Sequence, residues 1–455
     1  TLVKSNYNYA NVPFERLNFS MLDNGQRMCT VCHDPALATK ASQAFSDPSR
    51  RACGACHDGI DWATGGGTTL GGSTQGHVGR AQQDDSLCKA CHQEATTRVD
   101  HRTVNLTKNN PAITDGLVSF TYEIKDAKFA ADGTGTVEFR ILQQTAPSTT
   151  KTPVTLVAPA ASVTNPLVGF TGGPTFLLAY TVPQDGIATP ADYNNVGQSQ
   201  AQPKSISIAN LLSTNNSANG WISISTTPGY YVANFRGTYA FPANAKMRSV
   251  GLQGYFTQVS APASAAEPVA RHAISVVKTV TGDTARRKVV DAVKCASCHE
   301  WFEGHGGNRV IGRETGSSAE LICVQCHVPG LATSGRRIPD RTVSTTTGSA
   351  YSSVGMLDYA WTDADKKVLR EWGLMNSSNA FIKSTNIALD LPVVTNNFKE
   401  MIHGIHAGRE RVVPFQNARD RNTVKVLLDF RRMNFPGILN NCEGCHIAGT
   451  YSAVP

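Results

Sequence analysis

The sequence has no apolar run that approaches the roughly 18 residues needed to cross a bilayer as a helix. Charged residues are scarce, at 17% of the chain against about a quarter in ordinary soluble domains. Gly, Ser, Thr, Asn and Pro are abundant instead, which favours β structure and irregular segments over helical bundles. The chain starts at Thr1 with no signal peptide, so we expect a mature or partial chain that has lost its targeting segment.

No cysteine is left over for a disulfide or an acylated N-terminal cysteine. All twelve lie in six motifs of the form Cys-x-x-Cys-His. The six motifs are Cys29-Thr-Val-Cys32-His33, Cys53-Gly-Ala-Cys56-His57, Cys88-Lys-Ala-Cys91-His92, Cys295-Ala-Ser-Cys298-His299, Cys323-Val-Gln-Cys326-His327 and Cys442-Glu-Gly-Cys445-His446.

The spacing inside each motif is typical of covalent haem attachment. Two thiols three positions apart on a helical turn add across the two vinyl groups of a haem, and the next residue, His, binds the iron. A redox dithiol, half a zinc site or a disulfide framework would leave the six motif histidines unexplained. The motifs therefore predict six covalently attached haem c groups. Because this attachment takes place outside the cytoplasm, they also predict an exported protein.

The formal charge of +7 would ordinarily suggest nucleic acid as a partner. Six haems, however, add about twelve propionate charges if these titrate like ordinary carboxyls. The holoprotein is then close to neutral or mildly acidic, and we expect no nucleic-acid partner.

Six further histidines lie outside the motifs, one for each predicted haem. They are His77, His101, His272, His305, His403 and His406. This equality predicts iron with two histidine ligands and no open position, which transfers electrons rather than activating a substrate.

The strongest pair is His403 and His406, three positions apart on a predicted helix. Asn397 and Gly408 are suited to begin and end that helix, and its two histidines are expected to reach two different haems. His272 is the weakest candidate, because it lies at the end of a β-rich stretch.

Apolar and polar residues alternate between the two groups of haem motifs, beginning at Val118, Phe120 and Tyr122. Further short runs of this kind extend to residue 257, punctuated by Gly, Pro and Asn. The pattern predicts an all-β, antiparallel barrel or sandwich at residues 106–272. Residues 1–105 and 273–455 are predicted haem modules of short helices and loops, with three haems each.

A short repeat links the two ends of the chain. The segment Phe14-Glu-Arg-Leu-Asn-Phe19 precedes the first motif, and Phe430-Arg-Arg-Met-Asn-Phe435 precedes the sixth. We therefore expect the two haem modules to be partial copies of one unit. Further haems are expected before Thr1 and after Pro455 in the encoded protein.

Four stretches resemble the OmcA/MtrC family of outer-membrane decahaem cytochromes. They are residues 49–59 (together with His77 and residues 84–88), 285–309, 322–336 and 398–408. The resemblance implies β domains alternating with modules of packed, bis-histidine haems at the cell surface. It implies extracellular electron transfer to minerals, humic compounds, flavins or other multihaem cytochromes of an outer-membrane conduit. The family pattern of ten haems against six here agrees with a partial or shortened chain.

Two other interpretations stay open. One is a subunit of a conductive cytochrome filament, assembled as a homopolymer. The other is a multihaem oxidoreductase, which needs one haem with an open iron position, for instance if His272 is not a ligand. The sequence contains no variant motif such as Cys-x-x-Cys-Lys, so an electron-transfer protein rather than an enzyme is predicted.

Overall fold

The computed structural model describes residues 39–331 and 395–451, with short gaps inside both ranges, and isolated pieces elsewhere. The first haem motif, Cys29 to His33, and Cys56 of the second motif lie outside the described residues. So does most of the predicted repeat at 430–435, whereas its N-terminal copy falls largely within a strand. None of the described helices is long and apolar enough to cross a membrane.

The described α-helices are short, and all but two of them, α1 and α5, contain or directly precede part of a haem motif or its predicted ligands. The helices are α1 (Gln43–Ser46), α2 (Arg50–Cys53), α3 (Cys88–Cys91), α4 (Glu94–Asp100), α5 (Ile208–Leu212), α6 (Ala292–Cys295), α7 (Cys323–Cys326) and α8 (Phe398–His406).

The strands fall into three groups along the chain. The N-terminal group is β1 (Val3–Tyr9), β2 (Val12–Asn18), β3 (Thr69–Leu70) and β4 (Ser73–Thr74). The central group is β5 (Val118–Phe129), β6 (Gly135–Thr145), β7 (Thr152–Pro153), β8 (Phe170–Gly172), β9 (Thr175–Thr181), β10 (Lys204–Ser207), β11 (Gly220–Ile224), β12 (Tyr231–Phe235), β13 (Lys246–Gln253), β14 (Tyr255–Gln258), β15 (Ala270–His272) and β16 (Val276–Thr279). The C-terminal group is β17 (Trp301–Gly304), β18 (Arg309–Gly312), β19 (Thr342–Val343), β20 (Ser352–Val354), β21 (Ile387–Ala388), β22 (Gln416–Arg421) and β23 (Val424–Asp429).

The predicted alternation does form the first hairpin of the central region. β5 and β6 pair antiparallel, with Tyr122 opposite Ile141 and Ile124 opposite Phe139. The turn between them needs Gly133, whose φ is +86° and where a side chain would meet the carbonyl oxygen of Phe241. The predicted run over 250–257 is two strands rather than one, because Gly254 with φ +113° interrupts it.

The central strands form open antiparallel sheets. One has the order β11-β12-β6-β5 with β7 added to β6, a second has β10-β9-β13-β16, and a third has β15-β14-β8. No sheet closes into a barrel within the described part of the chain, so the barrel alternative of the prediction is wrong there. The antiparallel β prediction itself is confirmed.

The two larger sheets share one apolar core. Phe139 of β6 lies 5.1 Å from Phe176 of β9 between ring centroids, and Phe176 lies 5.5 Å from Phe235 of β12. All three rings are buried. The sheets thus pack face to face, as in a sandwich.

Strand β9 is buried on both faces. Phe176 and Leu178 face the sandwich core, whereas Leu177 packs with Ile322 and Cys326 near the fifth haem motif. Gln325 inside that motif donates to Ser249 of β13 at 2.9 Å. The central sheets therefore form the surface against which the fifth motif is positioned.

Candidate haem centres

Each described haem motif forms one helical turn. In all five, the backbone N–H of the motif His donates to the carbonyl of the first Cys of the same motif. The donors are His57, His92, His299, His327 and His446, with N···O distances of 2.8 to 3.0 Å. This is the i to i−4 bond of an α-helix, and it places the cysteines and the histidine on neighbouring positions of a single turn.

Each of these motif histidines lies beside one of the predicted distal histidines. The pairs, with the distance between ring centroids, are His57 and His101 (6.3 Å), His92 and His77 (6.3 Å), His299 and His406 (6.1 Å), His327 and His305 (5.9 Å), and His446 and His403 (5.9 Å). No motif histidine of the described residues is placed beside two of them.

The separation within the pairs fits one metal ion between two imidazoles. Metal–nitrogen bonds of about 2.0–2.1 Å place the two ring centroids about 6 Å apart. The five pairs span 5.9–6.3 Å. The donor set is therefore suited to hold haem iron between a motif histidine and a distal one.

Four of the paired histidines are oriented through their second nitrogen. Nδ1 donates to the carbonyl oxygen of a backbone group in each case, at 2.7 to 2.9 Å. The donor and acceptor residues are His77 and Arg80, His101 and Thr97, His327 and Asn396, and His406 and Ile402. Because a carbonyl only accepts, Nδ1 carries the proton and Nε2 keeps a lone pair for a metal.

Burial favours the neutral imidazole that a metal requires. It lowers the pKa of His299 to about 4, with the neighbouring His406 as a second cause. Burial also lowers the pKa of His446. The Nδ1 atoms of both residues are buried and have no hydrogen-bond partner among the described residues.

The thiols do not resemble a reactive dithiol. Burial raises the pKa of Cys295 and of Cys323 to about 12 each. A catalytic dithiol has a lowered pKa, because the thiolate is its reactive form. These thiols are instead suited to be held in a covalent, uncharged linkage.

Helix α8 serves two of the centres at once. The Asn397 side chain accepts the backbone N–H of Lys399 at 3.2 Å and begins the helix as predicted. His403 then reaches the sixth motif and His406 the fourth. The two histidines three positions apart thus do lie beside two different motifs.

His272 is placed differently. Its Nδ1 lies 2.6 Å from Oε1 of Glu303, and its ring packs edge-on against Tyr255 at 4.7 Å between centroids. It does not lie beside any motif histidine of the described residues. The sixth motif histidine, His33, lies outside them, so the assignment of His272 as an iron ligand stays a prediction.

Residues 287–454 match the family model "Outer membrane cytochrome MtrC/MtrF-like, domains II/IV". This region is similar to the MtrC/MtrF-like outer-membrane cytochromes. The predicted resemblance to the OmcA/MtrC family is confirmed over these residues. No curated protein matches the chain.

A solved structure of MtrC from Shewanella baltica OS185 is also similar. It is 17% identical, with a TM-score of 0.37, over 64% of this chain and 45% of that one. This chain thus spans less than half of that relative's length.

The match agrees with three general predictions. These are c-type haem, electron transport, and a location at the outer membrane or cell surface. The number of six haems stays a prediction.

Sequence reasoning missed the residues that orient the ligands. Asn396 is buried and supplies the carbonyl that receives His327 Nδ1–H at 2.7 Å. Trp62 lies 5.3 Å from His77 between ring centroids. A backbone carbonyl carries no side-chain signature, and the Trp62 contact depends on the path of the chain, so neither has a signal in the sequence.

Proposed function

We propose that this chain carries electrons in extracellular electron transfer, by hopping between closely packed bis-histidine c-type haems. The observation that carries the proposal is that each described motif histidine faces one distal histidine at 5.9–6.3 Å. Six haems are proposed, three in residues 1–105 and three in 273–455, on either side of the β region at 106–272.

The roles of the residues follow from their chemistry. The paired cysteines of each motif form the covalent links, including Cys29, Cys32 and Cys56. The motif histidine binds iron on one side and the distal histidine on the other. Bound haem supplies one-electron redox chemistry, and two histidine ligands leave no open position for a substrate.

Contacts between motifs support close packing of the C-terminal centres. Nζ of Lys294, next to Cys295, donates to the His446 carbonyl at 2.6 Å. The backbone N–H of Ile447 donates to Val289 at 2.9 Å. Helix α8 contacts the same two motifs through His403 and His406. Short separations matter because electron tunnelling falls steeply with distance.

The fifth motif lies close to the fourth. After the larger effect of burial, the charge of Cys445 raises the pKa of Cys295. The charge of Cys295 raises the pKa of Cys323, after burial and Cys326. In the N-terminal region the charge of Cys53 likewise raises the pKa of Cys88, after burial and Asp85. Both haem regions thus support haem-to-haem contact rather than isolated sites.

The proposed partners are other multihaem cytochromes of an outer-membrane conduit on the donor side. On the acceptor side they are minerals, humic compounds, flavins or other cytochromes. A conductive homopolymer is the second candidate. An oxidoreductase is the third and requires an open iron position, for which the first motif is the one place outside the five described pairs.

The test uses the intact holoprotein. It is reduced anaerobically, then mixed with chelated ferric iron, a humic-type quinone or a flavin, and haem oxidation is followed by absorbance. We expect every haem to be reoxidised and no sustained turnover of nitrite, sulfite or hydroxylamine. Failure to pass electrons to any of these acceptors would overturn the proposal, and sustained turnover would favour the enzyme.

A further inference from the structure

The loop that carries His305 has an unusual backbone. Three consecutive residues are left-handed, with φ of 57° at His305, 67° at Gly306 and 82° at Gly307. Glycine adopts this conformation freely, but a residue with a side chain does so only when its surroundings impose it. Something outside the loop must therefore hold His305 beside His327.

The loop joins strands β17 and β18, and residues of the central region form backbone hydrogen bonds with this hairpin. The backbone N–H of Gly254 donates to the Asn308 carbonyl at 2.9 Å, and the N–H of Ser275 donates to Val310 at 2.9 Å. Both contacts lie on the β18 side of the loop. A separate contact is needed to hold the β17 side of the loop in place.

His272 supplies a contact on that side. It ends β15, its side chain is 12% exposed, and its Nδ1 lies 2.6 Å from Oε1 of Glu303 in β17. The same Glu303 oxygen accepts Trp301 Nε1–H at 2.8 Å and Asn105 Nδ2–H at 2.9 Å. The Glu303 carboxylate lies two residues before His305. It thus connects β17 with Asn105 and with the end of β15.

The other side of the imidazole meets the loop itself. A Cβ added at Gly307 would lie 2.2 Å from His272 Nε2, whereas a Cβ at Gly306 would meet nothing within 4 Å. The ring therefore rests against the backbone of Gly307. Its two nitrogens face Glu303 and Gly307, one on the strand that leads into the loop and one within the loop.

We propose that His272 is a positioning residue that clamps the His305 loop against His327, rather than an iron ligand of its own. The proposal rests on the proposed function, since it assumes that His305 and His327 share one iron. It also leaves the haem of the first motif without an assigned distal histidine among the twelve of the chain.

The test compares His272→Ala in the intact holoprotein with the same change in a His305→Ala background. The readouts are the high-spin ferric signal and carbon monoxide binding to reduced haem, which needs a vacated position. A clamp predicts that His272→Ala increases the ligand-free form of one haem on the order of tenfold, the factor expected from one lost polar contact with the Glu303 carboxylate. In the His305→Ala background it should add nothing, because that haem is already open.

Two conservative changes keep the test decisive if His272→Ala folds poorly. His272→Asn can still donate to Glu303 but cannot bind iron as an imidazole does, and we expect it to restore most of the low-spin signal. Gly307→Ala should loosen His305 through the contact with His272. Gly306→Ala carries the same backbone strain without that contact and is the matched control.

The outcomes separate the inference from the function on which it rests. A full additional high-spin haem from His272→Ala in the His305→Ala background would identify His272 as a ligand and overturn the clamp. No change in either readout from His272→Ala or Gly307→Ala would overturn it as well. If His305→Ala alone opens no haem, the pairing of His305 with His327 fails, and with it this part of the proposed function.

Discussion

The imidazole rings of His403 and His446 are nearly parallel, with 5.9 Å between their centroids and an interplanar angle of 19°. One helical turn later His406 meets His299 nearly edge-on, at 6.1 Å and 88°. A single nine-residue helix, α8, therefore serves two motifs that are almost 150 residues apart in sequence. The relative position of these two centres depends on one short element.

Changing the two histidines separately should open two different haems. We expect His403→Ala and His406→Ala each to convert one haem to high spin, and the double variant to convert two. Spin quantification of the ferric holoprotein measures this. Lys399→Ala, on an exposed position of the same helix, is the control and should leave the signal unchanged. Loss of the same haem in both single variants would contradict the assignment.

Gly404 lies between these histidines and is buried. Alanine is favoured over glycine inside a helix by about 1 kcal/mol. Here, however, a Cβ would lie 2.5 Å from the ring of Phe415. We expect Gly404→Ala to lower the free energy of unfolding by about 1–3 kcal/mol, the usual cost of overpacking.

Guanidinium unfolding of the holoprotein measures that change. Phe415→Leu makes room at the contact, so the double variant should lose less than the sum of the two single losses. Additive losses would show that the contact between Gly404 and Phe415 is not the cause.

Arg271 is a buried cation, with 1% of the residue exposed. Its Nε donates to the Val118 carbonyl at 2.8 Å, which links β15 to β5. Arg271→Leu leaves that carbonyl without its donor, and we expect a loss of about 2 kcal/mol in the free energy of unfolding.

Arg236→Leu is the matched control for Arg271. This arginine also donates to a carbonyl, that of Ser217 at 2.7 Å, but it is exposed. Water can replace its bond, so the loss should stay within about 0.5 kcal/mol. Equal losses at the two positions would contradict the argument from burial.

Glu320 makes the free energy of unfolding depend on pH. Burial raises the pKa of its carboxyl to about 7, against the opposing effects of the Tyr193 hydroxyl and the charges of Arg286 and Lys288. Tyr193 donates to its Oε1 at 2.7 Å. Between the ordinary pKa of 4.5 and about 7, the folded carboxyl keeps a proton that the unfolded one has lost.

Stability must therefore fall as pH rises through this window, and the loss is complete above it. The shift corresponds to about 3 kcal/mol. The Glu320 contribution is obtained by comparing the unchanged protein with Glu320→Gln at pH 5 and pH 8, because the lowered pKa of His299 changes stability in the opposite direction over part of this range. Between the two pH values the unchanged protein should lose more stability than Glu320→Gln does, by most of the expected amount. Glu410→Gln, at an exposed position after α8, should behave like the unchanged protein. An equal change with pH in the unchanged protein and in Glu320→Gln would assign the effect to another group.

The sequence was sufficient to predict the elements whose chemistry or periodicity is local. The haem motifs, the helix begun by Asn397 and the hairpin of β5 and β6 all follow from short-range patterns. Strand β9 did not, because its run Phe176 to Tyr180 is buried on both faces and shows no alternation. A search for alternating residues cannot find such a strand.

Which motif histidine pairs with which distal histidine could not be predicted from the sequence, for a different reason. His305 follows the fourth motif by six residues but lies beside His327 of the fifth, and His77 pairs with the third motif rather than the second. Proximity along the chain does not determine which ligand crosses to which iron. The contact of His272 with Glu303 likewise depends on how the central sheets meet the C-terminal hairpin.

The most direct test of the central claim is the ligation of iron in the intact ferric holoprotein. Low-temperature electron paramagnetic resonance, combined with near-infrared magnetic circular dichroism, counts low-spin haems and identifies two histidine ligands. The five ring pairs predict at least five haem equivalents of low-spin, bis-histidine iron. Two or more equivalents of high-spin ferric haem would contradict the account.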